Sequence, residues 1–231
     1  MRCDLARGLI VSCQAEGDSP FNTPAFIAAF ARAAEMGGAV AVRIAGADNV
    51  RAVRGAVRLP IVALTKGVFP DGSVLITPTL DDARALAETG ADIVAVDATS
   101  RKRPDGPDGA EFVMRARAAL RVPVLADVST ADEGEAAARA GAAWVATTLS
   151  GYTPETSARA TEQPDLDFVA HLAARLPRQV IAEGRIWTPD QAAAALDAGA
   201  WAVVVGTAIT RPIDIVKRFA HKIDAAVHRQ G

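Results

Sequence analysis

The chain has 231 residues, half of them hydrophobic, and a formal net charge of −2. That is enough apolar material for one large core, and α/β barrels of this length are commonly undivided. Basic residues are scattered, which leaves no electrostatic footprint for nucleic acid, and no apolar run approaches the ~20 residues of a membrane-spanning helix.

In chain order the first apolar segment is 8–14. Its "LIVSC" core has the look of a lipoprotein cleavage site, but the run is shorter than the ~7–15 residues of a signal h-region and reads as a strand. Further strands are predicted at 39–45, 60–66, 92–98, 122–128, 143–149, 179–184 and 202–206. Three of them repeat one pattern: "ETGADIVAVDAT", "RAGAAWVATTLS" and "DAGAWAVVVGTA" keep the same spacing from Gly90 to Asp97, Gly141 to Thr148 and Gly199 to Gly206. Such a glycine suits the left-handed end of a helix that leads into a strand. Two others, "LPIVALTK" and "VPVLADVS", enter from proline, which is tolerated at a strand's first residue.

Alanine-rich helical segments lie between the strands. Thr130 with Glu133 and Thr188 with Gln191 have the capping-box spacing, and Pro189 occupies the first helical position. A short extended piece, "VLITPT" (74–79), precedes the helix after the third strand. The strands are almost uninterrupted apolar runs, as in a parallel sheet covered on both faces. Eight strands alternating with helices predict a single (β/α)8 TIM barrel over residues 1–231. An open doubly wound sheet accommodates the same alternation.

In a barrel, functional groups gather at the C-terminal ends of strands. Those ends are Gln14, Arg43, Lys66, Asp97, Asp127, Thr147/Thr148, Glu183/Arg185 and Gly206, a polar ring on otherwise apolar strands. "AEGRIWTPDQ" turns through Gly184 into a capped helix, and "VVVGTAITRP" turns through Gly206 toward Arg211. Glycine turns before helices allow a phosphate to approach backbone N–H groups. Lys66, crowded by Arg43 and apolar strands, is expected to lose some of its preference for the charged form. A neutral amine there could remove a proton beside a carbonyl or form a Schiff base. Glu183 is the candidate partner acid or base, Asp127 an orienting group, and Arg43 and Gln14 candidate donors to an enolate. Cys3 and Cys13 form neither a disulfide framework nor a metal spacing and read as free thiols of a cytoplasmic chain. His171, His221 and His228 fall on helices and in the tail, so no metal site is expected.

These residues resemble the N-acetylmannosamine-6-phosphate 2-epimerases. The likeness is carried by "GLIVSCQA", Arg43, Lys66, "ITPT", "VDATSRKRPDG", "LADVSTADEG", "TTLSGYT", "IAEGRI" and "VVVGTAITRP", in register from about residue 8 to 219. The resemblance implies a (β/α)8 TIM barrel of the phosphate-binding type, an enzyme of sialic acid and amino-sugar catabolism that works without metal or organic cofactor. It would interconvert N-acetylmannosamine 6-phosphate and N-acetylglucosamine 6-phosphate. It assigns Lys66 to the C2 proton and Glu183 to ring opening or proton transfer. Substrate contacts fall to Gln14, Arg43, Asp127, Thr148, Tyr152 and Arg185, and the phosphate to Gly184, Gly206, Thr207 and Arg211. After Lys66 the chain reads Gly67-Val68-Phe69 where the family usually has an Arg-Asp-Tyr-like segment. A related sugar phosphate, a Schiff-base lyase of the aldolase kind and a non-catalytic sugar-phosphate sensor are the competing readings. Whether one base or two moves the proton is open. The helix at 212–229 places Ile215, Phe219 and Ile223 on one face, to close the barrel or to pair two copies as a homodimer.

Overall fold

Eight of the apolar segments become parallel strands that close on themselves. The computed structural model describes residues 5–15, 17–68, 74–104, 106 and 109–228. Its barrel strands are β1 (Gly8–Cys13), β2 (Ala41–Ala45), β3 (Ile61–Leu64), β6 (Ile93–Asp97), β7 (Val124–Asp127), β8 (Trp144–Ala146), β9 (Val180–Glu183) and β10 (Ala202–Val205). Two more, β4 (Lys66–Val68) and β5 (Val74–Ile76), form a separate antiparallel hairpin. The barrel order is β1-β10-β9-β8-β7-β6-β3-β2, and β1 pairs with both β10 and β2, which rules out the open sheet. Cys3 and Phe69 lie outside the described residues.

Helices α1 (Pro24–Met36), α2 (Ala47–Arg54), α3 (Leu80–Ala87), α4 (Gly109–Ala119), α5 (Ala131–Arg139), α6 (Leu166–Arg175) and α7 (Pro189–Asp197) connect the strands; α8 (Thr207–Thr210) and α9 (Pro212–Val227) follow β10. The predicted capping boxes form at Thr130–Glu133 and Thr188–Gln191, and a third, Thr79–Asp82, starts α3. Gly90, Gly141 and Gly199 adopt φ of +89°, +100° and +103° just before β6, β8 and β10, the left-handed turn that gives the repeat its glycine.

The core has two layers because side chains alternate along each strand. Ile10, Ala41, Val62, Leu64, Ile93, Leu125, Ile181 and Val204 fill the barrel interior. Val11, Val42, Ile44, Val94, Val124, Val145 and Val203 point outward to the helices. Cys13 is on the outer layer, and burial pushes its thiol up to about 12, which removes it as a nucleophile.

Two expectations are corrected. The third barrel strand stops at Leu64, and Lys66 opens the β4–β5 hairpin, paired with Ile76, rather than closing a buried strand. And α9 does not close the barrel by burial: none of its residues is buried, and Val216, Phe219 and Ile223 are exposed. An amphipathic pattern marks an apolar face without saying what covers it.

Candidate active site

The alternation that builds the core also aims the polar residues. On β2, Ala41 faces the interior and Val42 and Ile44 face the helices, so Arg43 projects inward. The same count places Asp127 after Leu125 on β7 and Glu183 after Ile181 on β9. Strands β7, β8 and β9 are neighbours, and Arg43 stands three strands from β7 in one direction and three from β9 in the other. It therefore reaches across the barrel mouth to both carboxyls. Arg43 Nη2 donates to Asp127 Oδ2 at 2.7 Å, and Arg43 Nη1 lies 3.4 Å from Glu183 Oε2. Thr148, just beyond β8, fills the gap between the acids: its hydroxyl is 2.6 Å from Asp127 Oδ1 and 3.1 Å from Glu183 Oε2.

This cluster is buried: Arg43 is 1% exposed and Asp127 0%, while the Glu183 side chain keeps 16%. Burial raises the carboxyls of both Asp127 and Glu183 above their usual range, against the opposing pull of Arg43. Asp127 raises Glu183 further, and Lys66 is near enough to oppose that. The two acids hold Arg43 charged despite its burial. A hydroxyl has one proton to donate. With Thr148 donating to Asp127, the contact to Glu183 is satisfied when Glu183 carries a proton of its own. Two nitrogens of Arg43, Nε and Nη1, lack a hydrogen-bond acceptor, as does the buried Thr65 Oγ1 of any partner. Buried donors left unsatisfied cost about 1–3 kcal/mol each, and Arg43 carries two of them among the described residues.

The chain that builds this barrel mouth has relatives. The family described as "Putative N-acetylmannosamine-6-phosphate epimerase" matches residues 27–225. The chain belongs to that family. Two curated relatives carry the name "Putative N-acetylmannosamine-6-phosphate 2-epimerase". One, from Caldanaerobacter subterraneus, is 45% identical over 219 residues, covering 93% of this chain and 90% of the relative. The other, from Cutibacterium acnes, is 48% identical over 217 residues, covering 93% of each. The solved N-acetylmannosamine-6-phosphate 2-epimerase of Clostridium perfringens superimposes with a TM-score of 0.87 at 38% identity, over 94% of each chain.

Around the epimerase-family cluster the other expected residues divide. Lys66 is exposed on the β4–β5 hairpin rather than buried at the end of a strand. Gln14 is nearly buried at the end of β1 and donates to Ser12 Oγ at 2.6 Å. Asp97, inward on β6, is committed elsewhere: it pairs with Arg101 and accepts from Thr99 N and Oγ1. Arg185 (φ +58°) donates to Ser150 O at 2.7 Å and Gln163 O at 2.8 Å, which ties down the loop after β8. Tyr152 is 59% exposed, with Arg185 over its ring at 5.7 Å. Gly184 (φ +119°) has open space where a side chain would start. Gly206 and Thr207 begin the single turn of α8, which Thr210 fastens to Ser12 O at 2.7 Å. Arg211 precedes α9, 3.9 Å from Asp214. Among the described residues no three His, Cys, Asp or Glu side chains gather as a metal site requires. Ser12, Thr65, Thr77 and Arg103 lie inside the motifs "GLIVSCQA", "LPIVALTK", "ITPT" and "VDATSRKRPDG", but nothing local in those motifs gives these residues a role.

The raised Glu183 carboxyl has a consequence for stability. Its unfolded value is ~4.3, and in the fold it lies higher. Between the two values the folded chain holds a proton that the unfolded chain has lost. The stabilisation is complete below ~4.3 and disappears as pH rises through the folded value. Glu183→Gln does not titrate, so its Tm improves relative to the parent chain as pH goes from about 4 to 8. A Tm difference that is constant across a calorimetric pH series contradicts the assignment.

Proposed function

We propose that the chain interconverts N-acetylmannosamine 6-phosphate and N-acetylglucosamine 6-phosphate by moving the proton on C2, a step of amino-sugar breakdown. The observation that carries this reading is the buried Arg43–Asp127–Thr148–Glu183 cluster, with two unsatisfied Arg43 nitrogens, within reach of the charge of Lys66.

The sugar ring opens first, because C2–H becomes acidic only beside a free C1 aldehyde. Glu183 manages that step: a proton leaves the C1 hydroxyl as one is delivered to the ring oxygen. Lys66 then takes the C2 proton on Nζ in its neutral amine form and becomes the ammonium, and the C–H electron pair becomes the C1–C2 double bond of an enolate whose charge rests on the C1 oxygen. Arg43, with Nε and Nη1 seeking acceptors, is the natural donor to that oxygen or to the acetamido carbonyl. Return of a proton to the opposite face of C2 completes the epimerisation. Asp127 keeps Arg43 oriented, Thr148 keeps the two acids in register, and Gln14, Tyr152 and Arg185 border the sugar. The phosphate is assigned to Gly184, Gly206, Thr207 and Arg211, on the turns after β9 and β10, the seventh and eighth strands of the barrel. All of the proton chemistry is drawn from side chains, so no metal or organic cofactor is invoked.

The test is turnover on a panel: N-acetylmannosamine 6-phosphate, its deacetylated analogue and a 2-hydroxy hexose 6-phosphate. Conversion of the first to its C2 epimer, far ahead of the others, is the expected result. Preference for another sugar moves the substrate assignment, and no turnover on any overturns the reading.

The reading extends to a cytoplasmic homodimer. Ile213, Val216, Phe219, Ile223 and Val227 recur at three- and four-residue steps along α9, and all are 41–66% exposed. A continuous apolar stripe of this kind seeks a partner, and a second copy supplies a matching one. Phe219→Glu is expected to convert a dimer to a monomer in light scattering. A parent chain that is already monomeric refutes the dimer.

A further inference from the structure

Resting on Lys66 as the base, we propose that Thr77, braced by Arg103, is the positioning residue that holds Lys66 over the site. Lys66 lies beyond the barrel strand, since β3 ends at Leu64 and Lys66 starts the β4–β5 hairpin. Thr77, directly after β5, ties this segment to the barrel. Its N–H donates to Thr65 O at 2.9 Å, and its hydroxyl accepts from Thr65 N at 3.2 Å. The same hydroxyl donates to Ala95 O on β6 at 2.6 Å. Thr77 thus clamps the residue before Lys66 to a barrel strand, its backbone N–H holding Thr65 O and its hydroxyl joining Thr65 N to Ala95 O.

Thr77 makes these contacts from a backbone conformation it does not favour. Its φ is +48°, and it is 0% exposed. A β-branched residue in the left-handed region is strained and persists only where its surroundings over-determine it. Arg103 supplies that determination. Its Nη1 donates to Thr77 O at 2.7 Å and Pro78 O at 2.8 Å, its Nη2 donates to Asp97 O, and its guanidinium lies 3.4 Å from the centre of the Phe112 ring. A buried arginine spent on three carbonyls is costly equipment for an ordinary turn. Glycine would relieve the strain at position 77 but lose the hydroxyl that grips Thr65 and Ala95. Pro78 completes the support by packing on Gly67, where a Cβ would lie 2.8 Å from the proline ring. A base must sit within a fraction of an ångström of its proton, and a displacement of ~1 Å costs about 10²-fold in rate.

The experiment compares Thr77→Val, Thr77→Ser, Arg103→Lys and Lys66→Met by steady-state epimerisation of N-acetylmannosamine 6-phosphate. Thr77→Val is expected to lower kcat about 10²-fold with KM changed less than about twofold, and Thr77→Ser to recover most of it. Arg103→Lys keeps the charge but not the fork, and is expected to show the same kcat-selective loss at about tenfold. It tests the brace even if Thr77→Val does not fold. Parent-like kcat in Arg103→Lys, or in a folded Thr77→Val, overturns the proposal, as does a Thr77→Ser chain no better than the valine. If Lys66→Met is inactive while the other variants are normal, only the positioning role fails. If Lys66→Met turns over normally, the assignment of Lys66 fails first and takes the positioning role with it.

Discussion

Lys66→Met is expected to lower kcat for epimerisation by about 10²–10⁴-fold while leaving Tm within about a degree of the parent chain. The two halves of this result have different physical sources. The Lys66 side chain is exposed, and Thr77 holds the backbone of the residue before it. Surface substitutions of that kind change stability little, usually within ±0.5 kcal/mol. The rate loss follows because no other described residue places an amine beside Glu183; Arg43, the other cation there, is held charged and cannot act as a base. Arginine at position 66 keeps the charge but not the base, so Lys66→Arg is expected to be as inactive as the methionine. Substantial turnover by either variant, measured alongside thermal unfolding, removes Lys66 from the mechanism.

Arg43→Met is expected to be damaging in both respects. It leaves Asp127 and Glu183 facing each other at the barrel mouth without their shared cation. Breaking a buried ion pair from one side costs about 3–5 kcal/mol, a fall in Tm of about 10 °C for a chain of this size. Acidification should recover part of the loss, because protonating the acids removes the uncompensated charge. Replacing the whole set, as Arg43→Met/Asp127→Leu/Glu183→Met, is expected to restore most of the stability and none of the activity. Buried ionic networks are often no better for stability than apolar residues of the same volume. A triple variant as unstable as Arg43→Met alone would show that the network is structural in purpose, and unfolding scans at two pH values distinguish the cases.

Much of this arrangement is legible in the chain. Period-two alternation brings Arg43, Asp127 and Glu183 onto the inner face as directly as it brings Ala41, Leu125 and Ile181 there. The glycine repeat marks where β6, β8 and β10 begin. What the sequence hides is geometry made by residues far apart in it. Nothing local says that Thr148 bridges two acids, or that Asp97 spends itself on Arg101 and its own loop while Asp127 faces Arg43. Thr77 is concealed for another reason. Local preference argues against a β-branched residue at positive φ, so only the assembled barrel reveals it. The three residues of β4 are too short to signal a hairpin, and an apolar stripe on α9 signals burial without its partner.

The central claim, transfer of the C2 proton by side chains at this barrel mouth, is tested most directly by running the reaction in D₂O and reading C2 by proton NMR. Solvent deuterium is expected to enter C2 as the epimers interconvert, with the exchange lost in Lys66→Met and no substrate trapped on the protein by borohydride. Interconversion that keeps the original C2 hydrogen throughout, or a borohydride-trapped adduct on Lys66, would contradict it.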